Sequence, residues 1–392
     1  MATDPSSPPR QGLAGVTAGQ TAICSLSGTL RYRGYDIADL IGGSFEEVAY
    51  LLLRGELPTA EQLSSFAERL QQAANDLPSP LLETLRQLAA VSPQASVMDA
   101  LRSGVSLLGQ LACDNGPQLP VGPNELDAQR KQAERMIGQV AAILAAWIDF
   151  TSGREPTAWP DRPFAAALLE RLTGAPASAI AAQVFDTTLI LYAEHEFNAS
   201  TFAARTVTST GADMHSAATA AIGALKGPLH GGANEKVLEQ LSDIGTLERV
   251  EAWLAERFAA RQVVMGFGHR VYKEGDVRAR LLAESCRQLV RTEGMPDSHR
   301  AIEELATRVE ELMDQQKGLR PNLDWPAARV YHALNLPIRV FTPIFVVARM
   351  SGWTAHIVEQ MSNNRLIRPL SDYCGPEPRA YLPLNDRPSA SE

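Results

Sequence analysis

The chain has 392 residues, 45% hydrophobic and 21% charged, enough for roughly two or three domains around a sizeable buried core. A formal net charge of −9 and a pI near 5.4 exclude the broad basic surface that nucleic-acid binders need, so any anionic ligand has to meet a local cluster of Arg or His. Cys24, Cys113, Cys286 and Cys374 are scattered; they form neither a CxxC pair nor a disulfide framework and fit reduced thiols in a cytoplasmic protein.

In chain order, residues 1–12 (MATDPSSPPRQG) are rich in Pro and Ser with no apolar stretch behind them, and read as a disordered tail rather than a secretory signal. Ser27-Gly28 separates two short β-like runs, TAICSL and TLRYRGY, predicting a small N-terminal β-hairpin. After it the pattern is helical almost throughout. The densest apolar stretch, residues 140–148, is too short to cross a bilayer, so no membrane association is expected. SAIAAQVFDTTLILYAEHEF and MHSAATAAIGALKG are Ala-rich and apolar on most sides, as for helices buried between other helices. In SHRAIEELATRVEELMDQQK, Ile302, Leu305, Val309, Leu312 and Met313 recur at helical spacing, predicting an exposed amphipathic helix capped by Asp297 or Ser298. Breaks rich in Gly and Pro fall near residues 114–123, 152–163, 226–232 and 318–326; the last two bracket a smaller helical domain within a mainly α protein.

The seven histidines differ in their surroundings. His195 ends an apolar helix in YAEHEFNASTFAAR, His230 lies in GPLHGGANE, and His269 lies in GFGHRVYKEGDVRAR. His215, His299, His332 and His356 sit in helical patterns without glycine neighbours and read as structural or surface residues. Glycine beside His230 and His269 permits positive φ and close approach of a ligand to the backbone, and amides in such turns bind anionic or carbonyl oxygens. A helix-end glycine followed by an incidental histidine gives the same string. HEFNA is not HExxH, because residue 199 is Ala; GFGHRV lacks the third glycine of a dinucleotide fingerprint; no GxSxG elbow is present. Metal, nicotinamide and serine-hydrolase chemistry are therefore set aside.

Acid/base chemistry on a carbonyl compound remains. Asp324, in LRPNLDWPAARVY between Pro321 and Pro326, reads either as a base whose pKa is raised by partial desolvation or as a turn aspartate capping the helix that starts near Pro326. Arg278, Arg349 and Arg368 are the candidate anion partners. An Arg inside the apolar RVFTPIFVVARM is costly to bury unless a carboxylate pairs with it, and a dicarboxylate ligand supplies that pairing bidentately.

From about Leu13 to Pro376 the chain resembles the citrate synthase family. LRYRGYDIADL, LLLRGELPT, YAEHEFNASTFAAR, AIGALKGPLHGGANE, GFGHRVYK, PNLD, FTPIFVVAR, GWTAHIVEQ and RLIRPLSDYCGP occur in family order. The resemblance implies a citrate-synthase-like two-domain helical fold: a large domain of residues 13–226 plus 331–380, a small domain of 227–330 that closes over the substrates, and a flexible tail of 381–392. It also implies a homodimer, with assembly into a higher oligomer of dimers left open. The family's catalytic groups fall on His230, His269 and Asp324. Its oxaloacetate contacts fall on His195, Arg278, Arg349 and Arg368, the last reaching the partner subunit's site. Val263, Val264, Met265, Gly266, Phe267 and Gly268 match the stretch that holds the adenine end of coenzyme A, and Asn322 a contact to its pantetheine arm.

The implied reaction condenses acetyl-CoA with oxaloacetate and hydrolyses citryl-CoA to citrate and CoA. No metal and no permanently bound cofactor are implied, acyl-CoA being a co-substrate. YAEHEFNASTF and PNLDW are more similar to the 2-methylcitrate synthase and dual-specificity branches, so use of propionyl-CoA stands as the alternative. A non-catalytic helical dimer, scaffold or metabolite sensor, is a further alternative that loss of a catalytic group would mark; all three groups are present. Two departures are visible: WPAA follows Asp324 where many relatives carry Phe-Tyr-Ser-Gly or Phe-Tyr-Ser-Ala, and Val277 precedes Arg278 where proline is usual.

Overall fold

Gly28, at φ +78°, turns Cys24–Ser25 (β1) back onto Arg31–Tyr32 (β2), pairing Cys24 with Tyr32 and Ser25 with Arg31. The expected hairpin is thus present. A second reversal through Arg33 and Gly34, both at positive φ, adds Tyr35–Asp36 (β3) and makes it a three-stranded antiparallel sheet. Arg33 carries a side chain in the left-handed region; its guanidinium donates to the carbonyls of Leu52 and Ala22, which holds the turn. The computed structural model describes residues 16–112, 119, 122–269, 271–272 and 275–387. Residues 1–12, Cys113 and most of the break near 114–123 lie outside the described residues.

Among the described residues the sheet is followed by sixteen α-helices and three short 3-10 turns. The first ten are α1 (Ile37–Leu40), α2 (Phe45–Arg54), α3 (Ala60–Asn75), α4 (Ser79–Val91), α5 (Val97–Ala112), α6 (Pro123–Thr151), α7 (Phe164–Thr173), α8 (Ala179–Tyr192), α9 (Ala199–Ser209) and α10 (Met214–Leu225). They are followed by α11 (Ala233–Ile244), α12 (Val250–Ala259), α13 (Val277–Val290), α14 (Asp297–Lys317), α15 (Asp324–Ala333) and α16 (Phe341–Ser362). α16 is buried almost around its whole circumference and packs on α2, α6, α8, α9, α10 and α11, as an apolar pattern without a polar face requires. α11 to α15 pack mainly on one another, and touch the rest through α8 and α16. No helix among the described residues is long and apolar enough to cross a membrane. Cys24, Cys286 and Cys374 are free thiols.

Two helix starts differ from expectation. α14 begins at Asp297 itself, after Pro296 and without a side-chain cap; proline already sets the φ needed there, so Asp297 and Ser298 are helical residues rather than caps. α15 begins at Asp324, not near Pro326, so the capping reading of Asp324 is wrong. Pro326 is accommodated in the first turn, where backbone N–H groups have no acceptor within the helix.

A buried carboxyl in this scaffold makes stability pH-dependent. The Phe45 N–H at the start of α2 donates to Asp186 Oδ1 on α8 at 3.1 Å, and burial, with Glu46 alongside, pushes Asp186 up to about 8. A folded-state value above the unfolded one means stability is fully present below the ordinary carboxylate range and is lost as pH rises toward 8. Asp186→Asn is expected to flatten the fall of Tm between pH 5 and 9, measured by thermal melting; parallel curves for parent and variant would contradict this.

Candidate active site

Where α8 ends at Tyr192, the chain turns through His195 and restarts at Asn198, whose side chain caps α9 by accepting from the Thr201 N–H at 3.0 Å. Tyr32 in the sheet pins this corner, its buried hydroxyl donating to the Glu194 carbonyl at 2.9 Å. Glu194 is fully buried; its Oε1 accepts from His356 Nε2 at 2.9 Å, while Arg205 donates to His356 Nδ1 at 3.0 Å. An arginine donating to Nδ1 leaves Nε2 as the protonated nitrogen, so His356 is the structural residue its helical setting implied.

His230 lies in the turn between α10 and α11. Its Nε2 accepts the Ser200 backbone N–H at 3.2 Å and lies 2.8 Å from Ser200 Oγ. A backbone amide only donates, so Nε2 carries no proton and Nδ1–H is the free donor. Burial and the nearby Arg349 guanidinium lower His230 to about 4, so the ring is neutral. Gly231 answers a demand of the fold itself. A Cβ on Gly231 would stand 2.1 Å from the Leu225 carbonyl oxygen, so this glycine lets the turn close against the end of α10. Gly232 takes φ +78° to start α11. Glu235, in the first turn of α11, accepts from the backbone and hydroxyl of Thr342 on α16, tying the turn to the body of the protein.

His269 has the opposite tautomer. Its Nδ1 accepts the N–H groups of Val271 and Tyr272 at 3.1 and 3.3 Å, which leaves Nε2–H as donor. Its ring lies 5.2 Å from that of His195, whose Nε2 is 3.0 Å from Tyr272 Oη. Burial, and then the Arg278 guanidinium, lower both His195 and His269 below the usual histidine range.

Asp324 Oδ1 accepts the Tyr192 hydroxyl at 2.7 Å. Burial pushes the carboxyl above the usual range, partly offset by that hydrogen bond and by Arg278 and Arg349. Arg349 is buried, with Nε donating to the Tyr192 carbonyl at 2.6 Å and the guanidinium 4.6 Å from the Phe345 ring centroid. Arg278 is buried against Asp276, which accepts from Nε at 3.0 Å and from Nη2 at 2.8 Å. Asp276 Oδ2 also accepts the Leu323 N–H at 3.3 Å, so the carboxylate that holds Arg278 also holds the residue before Asp324.

The glycine-rich strip before His269 pairs with the strip before Asp324. Asn322 N–H donates to the Gly266 carbonyl, Asn322 Nδ2 to the Gly268 carbonyl, and Gly268 N–H to the Arg320 carbonyl, at 2.9 to 3.0 Å. Gly266 and Gly268 have φ +85° and +78°. A Cβ on Gly266 would stand 2.9 Å from Trp325 Cε3, so the close packing of Trp325 requires this glycine. Trp325 Nε1 donates to Glu310 at 2.7 Å and its ring lies 4.6 Å from Phe267, so the tryptophan of WPAA is a buried tie between α14 and the strip. Val264 is buried, Met265 and Phe267 are half-buried, and Val263 is exposed.

His195, His230, His269, Arg278, Arg349 and Asp324 are therefore brought within electrostatic reach of one another. Arg368 is not: it lies exposed in the extended segment after α16. Sequence reasoning missed Tyr192, Ser200, Tyr272 and Asp276. Tyr192 and Ser200 stand inside YAEHEFNAS, and Tyr272 and Asp276 inside GFGHRVYKEGD, but only contacts across the fold distinguish them from their neighbours.

Two neutral imidazoles with opposite free donors, an elevated carboxyl and two buried arginines are together able to do acid/base chemistry on an anionic carbonyl compound. Residues 12–370 match the family model "Citrate synthase, C-terminal domain", and the chain belongs to the citrate synthase family. It is 41% identical to "Citrate synthase 2" of Bacillus subtilis (strain 168), over 96% of this chain and 99% of that one. It is also 41% identical to the 2-methylcitrate synthase of Shewanella oneidensis, over 96% of this chain and 97% of that one. Among solved structures, the ternary complex of carboxymethyl coenzyme A and oxaloacetate with citrate synthase from Thermoplasma acidophilum is similar, with TM-score 0.88 and 31% identity over 97% of this chain and all of that one.

Proposed function

We propose that this protein condenses acetyl-CoA with oxaloacetate and hydrolyses the resulting citryl-CoA to citrate and CoA. The observation that carries this reading is the complementary set of fixed groups: Asp324 as an elevated carboxylate, His230 with Nδ1–H free and His269 with Nε2–H free. Asp324 takes a proton from the carbon beside the thioester carbonyl. The electron pair moves onto the thioester oxygen, where the His230 Nδ1–H stabilises it as it forms. The enol carbon then attacks the ketone of oxaloacetate, and His269 Nε2–H supplies the proton to the ketone oxygen. His195, Arg278 and Arg349 orient the ketoacid through its carboxylates, and Val263 to Gly268 with Asn322 receive the CoA. Water then cleaves the acyl-CoA, which makes the sequence irreversible.

Relatives named citrate synthase and 2-methylcitrate synthase occur at 41% and at 41–42% identity, so 2-methylcitrate synthesis from propionyl-CoA is the second reading. One methylene in an apolar pocket is worth only about 1–3 kcal/mol. Free-thiol release with oxaloacetate gives kcat/KM for each acyl-CoA. A higher value for acetyl-CoA is expected; a clear propionyl preference reverses the order, and no turnover with either overturns the function.

The working unit we infer is a cytoplasmic homodimer in which residues 227–330 close on the remainder. In support of the dimer, the chain after α16 lies extended with Leu370, Tyr373, Tyr381 and Leu384 exposed, an apolar arm that a second copy would cover. Arg368 on that arm then reaches the partner subunit's oxaloacetate. Arg368→Leu is expected to raise KM for oxaloacetate about tenfold or more, as loss of a charged hydrogen-bond partner does, while leaving the mass in solution that of a dimer. An unchanged KM would remove Arg368 from the site.

A further inference from the structure

We propose that Tyr192 is the positioning residue of the base, its hydroxyl fixing Asp324 Oδ1 so that Oδ2 is the oxygen that takes the substrate proton. The inference rests on the reading of Asp324 as base and adds a residue to it. Tyr192 is buried, and its hydroxyl donates to Asp324 Oδ1 at 2.7 Å while the Asn234 side chain also meets it. Its ring lies 4.4 Å from Phe345, so the phenol is held from the side as well as at its tip. The same residue's carbonyl accepts Arg349 Nε at 2.6 Å. One residue at the end of α8 therefore fixes both the base and an arginine of the ketoacid site, and couples their positions.

The hydrogen bond has an electronic consequence as well as a geometric one. Burial holds the Tyr192 phenol well above its usual range, so it remains a donor across the working pH. A donor aimed at a carboxylate favours the charged form, so the Tyr192 hydroxyl works against the upward push of burial on Asp324. The other groups facing Asp324 are Arg278 on α13 and Arg349 on α16, which favour its charge, and Asp276 before α13, which opposes it. Tyr331 on α15 also faces it, but its buried hydroxyl has no hydrogen-bond partner and does not duplicate the contact. During turnover the C–H bond breaks, its proton goes to Asp324 Oδ2 and its electron pair to the enolate, while the Tyr192 O–H stays intact.

Tyr192→Phe keeps the ring and removes the donor. The acid limb of the kcat/KM profile against pH is expected to move up by about one to two pH units, the size of a charge-assisted hydrogen bond. At pH 7 kcat is expected to fall about tenfold or more. KM for oxaloacetate should stay within about twofold, because the Arg349 contact uses the backbone carbonyl. A tyrosine fluorinated beside its hydroxyl, introduced at 192 alone, is a stronger donor and should move the limb the other way; it keeps the test open should the Phe variant not fold. An unmoved acid limb in either variant overturns the proposal. Asp324→Asn run alongside separates the two claims: if it abolishes turnover while the limb is unmoved, the base stands and Tyr192 does not.

Discussion

Asp324→Asn is expected to lower kcat by about 10²–10⁴-fold, the range general acid/base groups supply, with little effect on oxaloacetate binding. The amide is isosteric, and its oxygen still accepts the Tyr192 hydroxyl, so the wall of the site survives the change. What is lost is the basic oxygen. The parent carboxyl is pushed up by burial, which makes it a better base while it remains ionised above its own raised value. Steady-state thiol release gives kcat, and calorimetric titration of oxaloacetate gives affinity. Turnover within a few-fold of the parent would reject the assignment even with the fold intact.

His230→Ala should cost about 10²–10³ in kcat, the usual loss when one donor to a developing oxyanion is removed. The effect falls on the enolisation step, so exchange of the acyl methyl hydrogens with deuterated water should slow in parallel with kcat. The substitution also strands the Ser200 N–H, which now ends on His230 Nε2; an unsatisfied buried amide costs about 1–3 kcal/mol, so Tm should fall modestly. Because the parent ring is lowered to about 4, it is already neutral over the working range, and the rate ratio of variant to parent should not change between pH 6 and 8. A ratio that grows sharply below pH 7 would mean that His230 works as a charged acid instead.

The two departures from the family pattern have structural readings. Val277 opens α13 behind Asp276, whose side chain accepts both the N–H and the guanidinium of Arg278. That carboxylate, rather than residue 277, holds the arginine in place. Trp325, in place of phenylalanine, gains an indole N–H that Glu310 accepts. It packs on the glycine strip at Gly266 rather than leaving that wall open.

The sequence by itself determined the mainly helical fold, the hairpin at Ser27-Gly28, the breaks that carry His230 and Asp324, and the residue types able to do acid/base work. These are local properties: apolar periodicity and the φ preferences of Gly and Pro act within a few residues. Only the tertiary structure decided which reading of each residue holds. LRPNLDW left Asp324 either a cap or a base; in the fold it is the first residue of α15 rather than its cap, and its Oδ1 accepts the hydroxyl of Tyr192, 132 positions away. GPLHGGANE left His230 without a tautomer, which Ser200, 30 positions away, assigns. Gly231 looked like room for a ligand and proves to be room for the Leu225 carbonyl. Arg278 and Arg349 join the buried cluster, whereas Arg368, already set apart as reaching a partner subunit's site, lies on an exposed arm outside it. A hydrogen bond's free energy depends on the partner's position and on exclusion of water, and both come from packing of distant segments rather than from the neighbouring letters.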